Sequence, residues 1–207
     1  MFLRLLVCAC VVIFTGCRSR QKAAAPSAEY EPRAGDFVFQ SLAHDPLIDT
    51  IEGSTDSPFS HCGIVARRGD RWMILEAIGP VKETPFPAWI AQGRNNAFVA
   101  YRLRTPLVNK VSAIVAAAER YEGRPYDIHY DFDDERIYCS ELIYKSVCDA
   151  TGCKLGRIRK LGELNWRPYE KVIRSIENGR LPLDRQMITP RDLSEAPELR
   201  EVFRSRM

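Results

Sequence analysis

Cys139 is the residue whose type and position point most directly to chemistry. Small and apolar side chains recur at helical spacing over Cys139, Leu142, Ile143, Ser146 and Val147, which predicts a buried helix with the cysteine in its first turn. The positive end of a helix dipole and its unpaired N–H groups favour a thiolate over a thiol. The same position also suits a small buried core residue. A catalytic role therefore requires partner groups from elsewhere in the chain.

His61 and Glu76 are the candidate partners. The runs 61–66 and 72–78 predict a β-hairpin with a loop of about four residues, 67–70. In that register His61 faces Glu76 directly, on one face of the sheet. A carboxylate can hold one imidazole proton, which leaves the other ring nitrogen free to take the proton of a thiol. Each residue also has an ordinary interpretation, as a hydrogen-bonded strand-end histidine and a solvated strand glutamate.

Other reactive side chains have plainer interpretations. Cys62 follows His61, so strand alternation directs it to the opposite face, and we predict that it belongs to the core. Glu141 and Lys145 are four residues apart, which predicts an exposed helix pair. Two further histidines lie in predicted loops and are interpreted as surface or rim residues: His44 and His129.

The cysteine pattern does not predict a metal site. Beyond the N-terminal segment the cysteines are Cys62, Cys139, Cys148 and Cys153. Cys148 and Cys153 flank a predicted helix end and could pair in an oxidising compartment. No CxxC or HxxxC spacing supports zinc, so we predict neither a metal nor a cofactor.

The N-terminus predicts a lipoprotein signal peptide over residues 1–17. Arg4 precedes an apolar run, 5–14, that suits a signal h-region and is too short to span a bilayer. The end of the segment, Thr15-Gly16-Cys17, resembles a bacterial lipobox with Phe14 in place of the usual leucine, which predicts diacylated Cys17 as the mature N-terminus. An ordinary secretory signal is the alternative. Arg18 in place of aspartate favours the outer membrane, facing the periplasm, in a cell with two membranes.

Composition indicates one folded domain behind a tether. Residues 18–33 are small, polar or charged with no apolar period, which predicts a tether, and residues 34–207 form the predicted domain. The 30 Lys and Arg are interspersed with 27 Asp and Glu, so no nucleic-acid partner is predicted. The order strand, hairpin, strand, helix, loop, helix predicts an α+β fold with an antiparallel sheet.

Five short motifs in this order resemble the YiiX-type permuted papain-like hydrolases, which are relatives of the NlpC-type cell-wall peptidases. The resemblance implies a circularly permuted papain-like fold in which histidine precedes cysteine. It implies Cys139 as nucleophile, His61 as base and Glu76 as orienting acid. Tyr126 and Gln40 are candidates to hold the oxyanion beside the Cys139 N–H. The motifs are Gly35-Asp36-Phe37-Val38-Phe39-Gln40, Ser60-His61-Cys62-Gly63-Ile64-Val65, Leu75-Glu76-Ala77, Gly123-Arg124-Pro125-Tyr126-Asp127 and Tyr138-Cys139-Ser140-Glu141-Leu142, with Ile188-Thr189-Pro190 resembling the C-terminal motif.

The expected function is that of a lipid-anchored envelope cysteine hydrolase. It would cleave an amide or ester bond through a thioester acyl-enzyme. The resemblance allows a peptidoglycan-type peptide, a γ-glutamyl amide or an acyl lipid as substrate, and the membrane is the expected partner through the lipid anchor. Two alternatives stay open, an acyltransferase that uses the same acyl-enzyme and a catalytically inactive binding lipoprotein.

Overall fold

The computed structural model describes residues 30–205, in which an antiparallel sheet of six strands is covered by helices. The sheet order is β4-β3-β2-β1-β5-β8, and two short strands, β6 and β7, pair separately. The predicted α+β class with an antiparallel sheet is confirmed. The strands are β1 (Phe37–Gln40), β2 (His61–Arg68), β3 (Arg71–Ala77), β4 (Val81–Pro85), β5 (Val99–Leu103), β6 (Arg159–Lys160), β7 (Gln186–Met187) and β8 (Leu199–Arg204).

Six α-helices accompany the sheet in the described part of the chain. The first begins where the sequence indicates, because Asp45 Oδ1 accepts a hydrogen bond from the Ile48 N–H and Pro46 occupies the first helical position. The helices are α1 (Pro46–Thr55), α2 (Phe86–Gln92), α3 (Val111–Glu119), α4 (Cys139–Thr151), α5 (Glu170–Ile176) and α6 (Pro190–Ser194). Among the described residues no helix has the length and apolar character needed to cross a membrane.

The two faces of the sheet have different cores. On the face covered by α3 and α4, buried side chains from β2, such as Cys62 and Ile64, pack in one cluster with Leu142 and Ile143 of α4. On the other face, Val65 and Ile74 pack with Trp89 of α2. Since successive strand residues point to opposite faces, β2 supplies both cores by simple alternation.

The hairpin register differs from the predicted one. The strands continue to Arg68 and Arg71, so the turn is shorter than expected, and Gly63 rather than His61 lies directly opposite Glu76 in the register that pairs Ile64 with Leu75. This register shifts the pairing by two residues. Because the side-chain period of a strand is two, His61 and Glu76 still share a face as diagonal neighbours.

One end of the domain also differs from the prediction. Tyr30 lies within the predicted tether, yet its ring packs on Phe86 and Phe203 and its hydroxyl donates to Asp36 Oδ2 at 2.8 Å. At the other end, the segment that follows Leu181, in which prolines recur, contributes α6 and the edge strand β8. The predicted signal peptide and Cys17 lie outside the described residues.

Candidate active site

His61 and Glu76 form a buried ion pair at the open end of the hairpin. The His61 Nε2–H donates to Glu76 Oε2 at 2.5 Å, and both side chains are almost fully buried. Gly63 lies between them in the strand pattern, and a Cβ at that position would come within 2.4 Å of Ile74 Cγ2 and 2.9 Å of the Leu75 carbonyl. The glycine therefore permits the close approach of the two strands. The predicted contact between His61 and Glu76 is confirmed.

Glu76 is held by groups on both sides. Its other oxygen, Oε1, accepts hydrogen bonds from the Thr84 hydroxyl of β4 and from Gln92 Nε2 of α2, the latter at 3.3 Å. Trp89 covers the imidazole of His61 with ring centroids 6.2 Å apart. The carboxylate is thus fixed in orientation and excluded from water, which strengthens its interaction with the imidazole.

Cys139 is the first residue of α4, as predicted, and its sulfur meets the start of β2. The thiol lies 3.9 Å from the Ser60 carbonyl oxygen, and the neighbouring side chains of His61 and Cys62 both lower its pKa. The first intrahelical hydrogen bond runs from the Leu142 N–H to the Tyr138 carbonyl at 3.0 Å. The N–H groups of the first turn of α4 therefore remain available beside the sulfur.

The electrostatics of the site favour a thiolate and an imidazolium. Hydrogen bonds from Cys62 lower the pKa of Cys139 well below its ordinary value, and the interaction with His61 lowers it further against the opposing effect of burial. Burial lowers the pKa of His61, but hydrogen bonds to Cys139 and Glu76 raise it to about 9. Burial raises the pKa of Glu76, and the bond to His61 more than offsets this, so the carboxyl stays ionised. This arrangement activates a sulfur nucleophile and holds a proton on the neighbouring base.

The two oxyanion candidates lie in different places. Burial raises the pKa of Tyr126 well above its usual value, and the charges of Tyr130 and Cys139 raise it further, so its hydroxyl stays protonated near the thiol. Tyr126 Oη is 3.2 Å from Tyr130 Oη. Gln40 is buried at the end of β1, directly opposite His61 in the register, and its amide lies against Gly93, on the α2 side of the sheet. The tyrosine is thus within electrostatic reach of the sulfur, whereas Gln40 lies beside His61 with both amide atoms buried and without a hydrogen-bond partner among the described residues.

An apolar pocket opens beside Cys139. Its cavity volume is about 80 Å³, which is smaller than the roughly 300–1,000 Å³ common for ligand pockets. A charged group formed by His129, Glu177 and Arg185 lies on the wall, where Glu177 Oε1 accepts from His129 Nδ1 at 3.1 Å. The other walls are mainly aliphatic: Leu47, Ile51, Leu161, Leu164, Ile173 and Ile188.

Two residues differ from their predicted surroundings. Glu141, expected on an exposed face, is fully buried; its Oε1 lies 2.9 Å from Lys145 Nζ, and its Oε2 accepts from the Tyr138 N–H at 3.3 Å. Cys62 is in the core as predicted, in the same buried cluster as Cys139. Strand alternation directs the Cys62 side chain towards α4, so the sequence alone could have indicated that the two cysteines lie close together. Both Cys148 and Cys153 are free thiols in the structure, so their suggested pairing is not formed.

The fold and this site define a permuted papain-like protein, and the chain belongs to that family. Residues 31–203 match the family model described as "Permuted papain-like amidase enzyme, YaeF/YiiX, C92 family". The predicted resemblance and the permuted papain-like fold are confirmed.

Two relatives are similar over most of the chain. The "Uncharacterized protein YiiX" of Escherichia coli strain K12 is 31% identical over 180 residues, which cover 86% of this chain and 89% of that protein. The crystal structure of YiiX from Escherichia coli O157:H7, described as a metalloprotein, matches with a TM-score of 0.80 at 31% identity and covers 85% of this chain and 99% of that one. In residues 30–205 of the present chain, no group of three or more His, Cys, Asp or Glu side chains is arranged to hold a metal ion.

Proposed function

We propose that this chain is a lipid-anchored cysteine hydrolase that cleaves an amide or ester bond of an acylated substrate. The observation that carries the proposal is the meeting of Cys139, at the start of α4, with the buried His61–Glu76 pair, beside a pocket. The geometry supports Cys139 as nucleophile, His61 as the proton carrier and Glu76 as the group that orients it. Membership of a family of papain-like amidases supports the same reaction class.

The proposed reaction proceeds through a thioester. The Cys139 thiolate attacks the carbonyl carbon, and the oxyanion is held by the Cys139 backbone N–H with Tyr126 as a further donor. His61 then gives its proton to the departing amine or alcohol, which leaves a thioester on Cys139. In the second half, His61 takes a proton from water, and the hydroxide releases the acid and restores the thiolate. Transfer to an amine or alcohol acceptor would use the same thioester.

The lining of the pocket favours the acyl lipid among the three substrate classes that the sequence allows. Aliphatic side chains of α1, α5 and the 161–164 segment form most of its surface. Burial of an alkyl group against such a surface strengthens binding, by up to about 0.8 kcal/mol for each fully buried methylene. A peptidoglycan-type peptide or γ-glutamyl group would instead leave polar atoms without partners along the aliphatic part of the lining, away from the charged group of His129, Glu177 and Arg185, which is costly.

A chain-length series tests the proposal. The purified protein is given acetyl, hexanoyl and dodecanoyl esters and amides of one chromogenic leaving group, with Cys139→Ala as the inactive control. We expect kcat/KM to rise with chain length, by at most about fourfold for each methylene that enters the pocket. Ile51→Glu should remove most of this rise, and the matched substitution Val108→Glu, at an exposed residue outside the pocket, should leave it unchanged.

Two results would overturn parts of the proposal. Turnover that survives in Cys139→Ala would remove the cysteine mechanism. Turnover that depends on Cys139 but declines with chain length, while peptides or γ-glutamyl amides react faster, would remove the acyl substrate and keep the hydrolase.

The anchor at Cys17 and the outer-membrane location are part of the proposal. In that location the pocket would face a compartment where acylated molecules are available.

A further inference from the structure

Cys62 is a second buried thiol beside the nucleophile, and its sulfur forms no bond to the substrate in the mechanism above. We propose that Cys62 forms a reversible disulfide with Cys139 when the nucleophile is oxidised, so that peroxide switches the site off without destroying it. This inference rests on the proposed function only in taking Cys139 as the reactive thiol of the site.

The contact follows from the way β2 meets α4. Strand alternation directs Cys62 to the α4 face of the sheet, opposite to His61, and the side chain is fully buried there. The Cys139 sulfur lies 3.9 Å from the carbonyl oxygen of Ser60, two residues before Cys62 on β2, and both cysteines are buried in the same cluster. The Cys62 side chain is also the largest influence that lowers the pKa of Cys139. The two thiols therefore lie close together before any oxidation takes place.

No other described cysteine is so placed. Cys148 lies on α4 nine residues beyond Cys139, and at 1.5 Å per residue this separates their backbones by about 13 Å along the helix. Cys153 is exposed beyond the end of α4. Disulfides require Cα atoms within about 7 Å. An oxidised Cys139 would thus find its partner in Cys62 and in neither of these.

The proposed chemistry is balanced with hydrogen peroxide as oxidant. The Cys139 thiolate attacks one peroxide oxygen, the O–O bond breaks, and hydroxide leaves, so that sulfur is oxidised to sulfenic acid and peroxide is reduced. The Cys62 sulfur then attacks the Cys139 sulfur. An S–S bond forms, the S–O bond breaks, and the departing hydroxide takes the Cys62 proton to give water. Two thiols and one peroxide thus give a disulfide and two waters, and a dithiol reductant reverses the result.

Burial determines which of the two thiols is oxidised first. Cys139 lines the pocket, which small oxidants can enter, whereas Cys62 lies behind it in the core. Burial, together with the nearby Cys139 sulfur, raises the pKa of Cys62 well above its ordinary value, so Cys62 stays a thiol while Cys139 is a thiolate. Oxidation of Cys139 to the neutral sulfenic acid removes that opposing charge. Cys62 therefore reacts only after Cys139 has been oxidised.

The test is a thiol map that needs no substrate. The purified full chain is treated with hydrogen peroxide, its remaining thiols are blocked with iodoacetamide, and the unreduced protein is digested and examined by mass spectrometry. We expect a peptide that joins Cys62 to Cys139, with Cys148 and Cys153 alkylated. Dithiothreitol should then restore alkylation of Cys139.

Cys62→Ser keeps a hydrogen-bond donor and removes the resolving sulfur. In this variant we expect peroxide to carry Cys139 on to sulfinic acid, so that dithiothreitol restores about a tenth or less of the wild-type alkylation. Cys153→Ser is the matched control and should form the Cys62–Cys139 link as the wild type does. If Cys62→Ser does not fold, the wild-type map decides alone.

The outcomes separate this inference from the proposed function. A wild-type map with Cys139 as sulfinic acid and Cys62 alkylated, or with Cys148 joined to Cys153 instead, overturns the switch and leaves hydrolysis intact. A Cys62–Cys139 link in a protein that turns over none of the acyl substrates supports the switch as thiol chemistry and overturns the proposed acyl substrate.

Discussion

The charge of Glu76 should set the alkaline limit of activity. His61 has a pKa of about 9, against an ordinary value of about 6.5, because its imidazolium is hydrogen-bonded to Cys139 and to Glu76. Glu76→Gln keeps an oxygen that can accept from His61 Nε2–H and removes the negative charge. Loss of one opposite charge at this distance lowers a pKa by about 1–3 units. Since Cys139 supports the imidazolium as well, we expect a fall near the lower end of that range, equivalent to about 1.5–3 kcal/mol.

The assay is the pH dependence of kcat/KM with a reactive acyl ester. A bell-shaped profile of kcat/KM reports groups of the free enzyme, here the ascending limb of Cys139 and the descending limb of His61. In Glu76→Gln the descending limb should move to lower pH, so that kcat/KM near pH 8.5 is about tenfold lower than in the wild type. Near pH 6 His61 stays protonated in both proteins, so the shift in its pKa should change kcat/KM little there.

Thr84→Val is the matched control for this prediction. It removes a neutral donor to Glu76 Oε1 and leaves the charge and the bond to His61 in place. Its descending limb should therefore stay within about half a unit of the wild type. Descending limbs that coincide in wild type and Glu76→Gln would refute the reasoning, because the carboxylate would then not be supporting the imidazolium.

Three further changes test other parts of the structure. His61→Ala should slow alkylation of Cys139 by iodoacetamide by about tenfold or more near pH 6, because the thiolate loses its cation. Cys17→Ser should leave the protein unlipidated, either in the soluble envelope fraction or as uncleaved precursor, as measured by labelled palmitate. Burial raises the pKa of Glu141 to about 8 despite Lys145. The stability that this buried carboxyl contributes is thus full below its unfolded pKa and is lost as pH rises through about 8. Glu141→Gln should therefore be more stable than wild type by on the order of 1–3 kcal/mol at pH 9 and by less at pH 5. Thermal unfolding at the two pH values measures this difference.

Each of these changes has a contradicting result. An alkylation profile that follows an ordinary thiol titration and does not change in His61→Ala would return Cys139 to the status of a buried helix residue. Equal palmitate incorporation in Cys17→Ser would place any acyl group elsewhere. For Glu141, the exposed Glu135→Gln is the control, and a Glu141→Gln difference from wild type that is the same at both pH values would show that the carboxyl does not titrate as stated.

The contact between His61 and Glu76 could be predicted from the sequence even though the predicted register was wrong. The predicted pairing placed His61 directly opposite Glu76, whereas the structure places Gly63 there. An error of two residues preserves the face, and a diagonal neighbour is still within reach of a long side chain. An error of one would have separated the imidazole from the carboxylate by the thickness of the sheet. The prediction thus depended on the alternation of the strand and not on the exact turn.

Burial of individual helix residues was harder to predict, and Glu141 illustrates the reason. A glutamate four residues before a lysine has the same pattern on an exposed face as on a covered one. The first turn of α4, where Glu141 lies, is covered by a segment distant in sequence: Ser140 Oγ donates to the Ile188 carbonyl at 2.9 Å and the Ile188 N–H to Tyr138 Oη at 3.0 Å. Periodicity describes one element and does not contain the element that covers it.

The pocket likewise forms from segments that are distant in sequence. For this reason the sequence could indicate a reaction class but not a substrate class. The proposed catalytic residues lie at element ends marked by strong local signals, a helix start and the open end of a hairpin. The walls that would bind an acyl group come from α1, the 161–164 segment, α5 and the strand end near Ile188, each of which presents an ordinary amphipathic pattern. Their apolar faces become a binding surface only when they meet around Cys139. The same meeting brings Cys62 against the nucleophile, so the preference for an apolar acyl group and the proposed redox response both depend on packing between distant segments.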